Sequence, residues 1–171
     1  QLDAADIKKG DDGGYAFHLI DGGDGEKRLK SEAARRVVPV HNELVRLGLL
    51  DHVKRQKKAK HKKLFPGIKP DSRGFLSGPT SHRFNQYLRT VGVKETGLVF
   101  HSFRHTFIDA LRRAEITDID MQTVIGHAPS GVTAGYGQLT DRQAYDRHRR
   151  LVDAVEYPGL DLSHLRTRDD V

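Results

Sequence analysis

The period of the apolar pattern changes near residue 41, and this change constrains the fold more than any other feature. Before it, Tyr15, Phe17 and Leu19 fall at alternate positions, as on a strand with one buried face. Asp11-Asp12-Gly13-Gly14 ahead of them and Gly22-Gly23-Asp24-Gly25 behind them read as turns. Arg36 to Val40 is a β-branched run closed by Pro39, which has no N–H for a ladder and so belongs on an edge or at a strand end. After residue 41 the spacing is that of helices. Asn42 caps a short helix through Leu47 that Gly48 ends, and Phe84, Tyr87, Leu88 and Val91 share one face of a helix near 80–91. Phe103, Phe107, Ala110, Leu111 and Ala114 form a core-facing stripe on a helix from His101 to about Ala114. Thr117 or Asp118 caps the next helix, with Met121, Val124 and Ile125 inward and Gly126 at its end. Asp141 caps the last, with Ala144, Tyr145, His148, Leu151 and Val152 on one side. The pattern predicts an α+β domain: mostly helical, with a small antiparallel three-stranded sheet near the N-terminus.

A chain of 171 residues has room for one domain with a sizeable core. No apolar run reaches the roughly 18 residues needed to span a bilayer, and no signal peptide opens the chain, so no membrane partner and a cytoplasmic location are expected. The absence of cysteine excludes disulfides, thiolate metal sites and cysteine nucleophiles.

A net charge of +6 suits a polyanionic partner, and its distribution says more than its size. Between Lys54 and Lys63 there are seven lysines or arginines and no acid. The run reads as a solvated basic loop, in which Lys57, Lys58, Lys60 and Lys62 are candidates for neutralising DNA phosphates.

His101, Arg104 and His105 lie three and four apart and so project together from a helix. A helix that buries one stripe and presents histidine and arginine on another holds an anion against a rigid support. The guanidinium fork matches two phosphate oxygens and stays charged throughout. Histidine ordinarily titrates near neutrality, which suits proton transfer. A lone Tyr136, nine positions after His127 and flanked by Gly135 and Gly137, supplies a hydroxyl that can attack phosphorus.

His101-x-x-Arg104-His105, Gly126-His127, Tyr136, and Lys30 leading into Arg35-Arg36-x-x-Pro39 together resemble the catalytic end of the tyrosine recombinases, or phage integrases. The likeness runs over about residues 1–150, with the motifs in the family's order. It implies site-specific DNA recombination or integration through a 3′-phosphotyrosine link at Tyr136, without cofactor or metal. By the same resemblance Arg104 clamps the scissile phosphate, His101 assists removal of the tyrosine proton, and His127 donates to a non-bridging oxygen. Lys30 protonates the leaving 5′-oxygen, and His105 is structural. The implied partner is double-stranded DNA at the nucleoid, with the parent protein a tetramer on paired sites.

The family carries a second clamp arginine, ahead of the segment that here reads Gln1 to Ile7, and no residue of this chain matches it. The expectation is therefore a partial catalytic domain over 1–171, lacking that arginine and the N-terminal DNA-clamping domain, with little or no activity in isolation. Otherwise Arg28, Arg35 or Arg36 would have to supply the second clamp. Three other readings compete: a DNA-binding fragment without catalysis, a tyrosine-dependent topoisomerase, and a metal hydrolase using the His101/His105 pair. The last lacks a His-Glu-x-x-His motif, since Ser102 follows His101.

Overall fold

The computed structural model describes residues 2–10, 12–21, 29, 34–93, 95, 97–127 and 140–165. It is an α+β fold: six helices among the described residues, and a three-stranded antiparallel sheet near the N-terminus. Strands β1 (Ile7–Lys9), β2 (Tyr15–Leu19) and β3 (Arg36–Pro39) lie side by side in that order. The turn predicted at Asp11 to Gly14 closes with Gly10 N–H donating to Gly14 O at 2.7 Å and Gly14 N–H to the Asp12 carboxylate at 3.0 Å. β3 is an edge strand, as Pro39 requires. The turn expected at Gly22 to Gly25 lies outside the described residues.

Ile7, Phe17 and Val38 stand opposite one another across the three strands, so the period-2 rule puts them on one face of the sheet. Ile7 and Phe17 join a core with Val53 and Leu64, while Val38 packs against a second core. That core unites α4 (Ser102–Arg113), α5 (Asp118–Ile125) and α6 (Asp141–Asp153) through Leu111, Met121, Val124, Leu151 and Val152. Thr117 caps α5 and Gly126 ends it in the left-handed region, as expected. For α6 the cap is Thr140, in a reciprocal box with Gln143, one residue before the expected Asp141. Similarly, α1 (Asn42–Arg46) is capped by the His41 ring, which accepts from Glu43 N–H at 3.1 Å.

Two expectations need correction. The basic run is only partly a loop: Lys54 to Lys58 form the end of α2 (Leu49–Lys58), and Lys60 to Lys63 lie beyond it. Lysine, arginine and glutamine lose little side-chain freedom in a helix, and cations in a last turn complement the helix dipole. Beyond α2 the chain is pinned to the N-terminus. Ala4 N–H donates to Lys62 O, Leu64 N–H donates to Leu2 O, and the Lys63 ammonium meets the Asp3 carboxylate at 3.1 Å. Phe103, in turn, does not face the core. It is 59% exposed and packs with Phe84 of α3 (Ser77–Thr90) and Phe100, at centroid distances of 5.3 and 5.9 Å. The stripe on α4 buries its second half, Ala110 and Leu111, because that end packs into the core with Met121, Val124, Leu151 and Val152.

His148 is buried on α6 and donates from Nδ1 to Val37 O at 2.7 Å, tying α6 to β3. Burial pushes its pKa below the ordinary 6.5, with Arg36 and Arg147 acting in the same direction and the Val37 bond and Asp120 against it. Half-buried His18 is lowered too, by burial and by Lys8. The unfolded chain therefore takes up protons below about pH 6.5 that the fold refuses, so stability is full above that pH and falls as pH drops through the folded values. Melting temperatures between pH 7.5 and 5 should show this loss, and His148→Asn, which keeps a donor for Val37 O but cannot titrate, should reduce it. An undiminished slope in that variant would exclude His148 as a source.

Candidate functional site

The site is built where the start of α4 meets the end of α5. His101 immediately precedes α4 and already has helical backbone angles, so the expected face forms. Its ring meets the exposed His105 ring edge-on at 5.3 Å. One turn on, Arg104 is half-buried and points across to α5. There its Nη2 donates to Ile125 O at 3.1 Å and to His127 Nε2 at 2.7 Å. Two motif residues 23 apart in sequence thus touch directly.

The Arg104–His127 bond determines where the imidazole proton sits. Arginine has no acceptor, so Nε2 must carry the lone pair and Nδ1 the proton. His127 is exposed and can present Nδ1–H to an incoming oxygen. If Nε2 is instead to donate to phosphate, Arg104 must first release it.

Gly126 makes the turn that delivers His127. Its φ is +74°, and His127 N–H folds back onto Gln122 O at 2.9 Å. A guanidinium lies on this glycine: a Cβ at residue 126 would fall 2.6 Å from Cζ of Arg36. Arg36, half-buried on β3, donates from Nε to Val124 O at 2.9 Å and from Nη1 to Ala34 O at 2.7 Å. Burial and then the nearby Arg104 charge lower the Arg36 pKa, which starts so far above neutrality that the side chain stays cationic. Gly126→Ala should cost about 2 kcal/mol or more, by placing a Cβ in the left-handed region and displacing a charged hydrogen bond. Chemical denaturation measures it, and a loss below about 0.5 kcal/mol would mean that the turn relaxes freely.

Lys30 and Tyr136 lie outside the described residues. Lys57, Lys58, Lys60 and Lys62 are all exposed around the end of α2. Lys60 sits at +57° in φ, where it closes the helix with His61 N–H donating to Gln56 O. Among the described residues no group of three or more His, Asp or Glu is placed to hold a metal ion. No described helix is long and apolar enough to cross a membrane. In the sequence Arg36 stands out only as part of a basic motif. No local signal could have said that its side chain ends on α5.

Comparison of the chain with protein-family models, with curated proteins and with solved structures found no match.

Proposed function

We propose that this chain carries the residues with which a tyrosine recombinase cleaves and rejoins DNA, and that with a single clamp arginine it does so only weakly by itself. The observation that carries the reading is the Arg104–His127 contact, which joins two separate motifs into one hydrogen-bonded pair, nine positions ahead of Tyr136 in the sequence. In the proposed step the Tyr136 oxygen attacks a backbone phosphorus. A P–O bond to tyrosine forms as the bond to the 5′-oxygen breaks, and Lys30 supplies the proton that the leaving oxygen takes. His101 receives the tyrosine proton, while Arg104 and His127 neutralise the charge that builds on the phosphoryl oxygens. The phosphodiester energy is kept in the tyrosyl ester, so religation needs no cofactor. The proposed partner is double-stranded DNA at the nucleoid, bound by a tetramer on paired sites.

A nicked DNA substrate that loses its 5′-OH strand after cleavage tests the reading. The expected product is a protein joined covalently to a DNA 3′-end, seen as a band of retarded mobility in denaturing gels. DNA binding with no adduct, in the chain and in a longer protein containing it, would leave a binding module instead.

The basic end of α2 would contribute affinity without reading bases. Log K should fall linearly with log salt, and Lys57→Ala, Lys58→Ala, Lys60→Ala and Lys62→Ala together should flatten the slope by about 0.9 for each phosphate no longer neutralised. A slope unchanged in the quadruple variant would remove these lysines from the interface.

A further inference from the structure

We infer that Arg36 is a positioning residue that holds His127 in register with Arg104, by docking β3 onto the last turn of α5. The end of any helix leaves carbonyls without partners, and here two consecutive ones are each met by an arginine from a different element. Arg36 of β3 takes Val124 O at 2.9 Å, and Arg104 of α4 takes Ile125 O at 3.1 Å. Two guanidiniums side by side repel, but the partial negative charge at a helix C-terminus offsets the repulsion. Arg36 is itself held. Its fork is anchored behind by Ala34 O, while the next residues of β3 bind α6 through Val37 O and His148 and pack Val38 into the core. Arg36 therefore joins the sheet to the turn that carries His127. The glycine between them lets the guanidinium lie against the backbone with no Cβ intervening.

The consequence can be read at a single proton. With the turn in register, His127 Nε2 accepts from Arg104 and the ring is the Nδ1–H tautomer. With the turn released, that bond lengthens and the ring relaxes toward the Nε2–H form that unconstrained imidazole prefers. Lysine at residue 36 keeps the charge but cannot fork between two carbonyls.

Long-range 1H–15N spectra of the whole chain, with 15N-labelled histidine, distinguish the two tautomers near neutral pH. Wild type should show His127 as Nδ1–H. Arg36→Lys and Arg36→Gln should remain folded by circular dichroism, keep the His148 signals in place, and shift His127 to a mixture dominated by Nε2–H. Arg104→Lys should do the same. Retention of the Nδ1–H form in both Arg36 variants would overturn the inference. Loss of the whole fold in both would also overturn it, by making Arg36 a general stabiliser. The effect on DNA chemistry rests on the proposed function: Arg36→Lys should slow adduct formation at least tenfold. A tautomer shift in a protein whose wild type forms no adduct, by itself or within a longer protein, would sink the recombinase reading and leave the role of Arg36 intact.

Discussion

Tyr136→Phe is expected to abolish the covalent protein–DNA adduct altogether, while Tyr145→Phe leaves it in place. Phenylalanine keeps the ring and removes the only atom able to bond phosphorus, so no slower route remains for that step. Tyr145 is the informative control. Its hydroxyl donates to the Asp12 carboxylate at 2.9 Å and accepts from Arg149 Nη2 at 3.2 Å. Arg149 also donates to Val40 O and Tyr15 O, so this network fastens α6 to the sheet. Burial, with help from Asp12, raises the Tyr145 pKa even though Arg149 opposes it, which keeps the hydroxyl protonated. Denaturing gels after incubation with the nicked substrate should show the adduct in wild type and Tyr145→Phe alone. An adduct that survives in Tyr136→Phe would mean another nucleophile, and the assignment of Tyr136 would fail.

Arg104→Ala should lower the rate of adduct formation by about 10² to 10³ at least, the usual effect of removing one donor to a developing oxyanion. The hydrogen bonds of Arg104 add to this. The substitution also removes the partner of His127 Nε2 and uncaps Ile125 O, so the histidine loses its orientation as well. Arg104→Lys keeps a positive charge but cannot reach both the carbonyl and the ring in one plane, and should recover only a small part of the rate. Stability must be measured on the same samples, since an uncapped carbonyl and an unpaired ring would cost about 1–2 kcal/mol. A fall in rate below tenfold in a folded Arg104→Ala variant would show that the phosphate is held elsewhere, and Arg104 would become a fastening between α4 and α5.

Much of the architecture was legible because its signals are local. Thr117 accepts from Asp120 N–H within one turn, Gly126 takes a positive φ at the other end of the same helix, and Tyr15, Phe17 and Leu19 alternate along a single strand. The grouping of His101 with His105 was legible for the same reason, since four residues make one turn. Errors arise where the local signals are balanced. The basic run suits a solvated loop or a solvated helix equally, and the choice is made by Val53 and Leu64 packing beneath it and by the N-terminal segment pairing with it. The aromatic stripe on α4 runs its whole length in sequence, yet Phe103 faces Phe84 and Phe100 at one end while Leu111 is fully buried at the other.

The sequence by itself determined the sheet-then-helix order, the Thr117 cap and Gly126 end of α5, and the grouping of His101 with His105, because each depends on neighbours within a turn or a short run. Only the tertiary structure decided which residues of different elements meet. Arg36 reaches Val124 O across 88 positions, and Arg104 reaches His127 across 23. A side chain's partner at such separations is set by how a strand and two helices pack against a shared core. That packing depends on the shape of many apolar residues at once, and no motif along the chain records it.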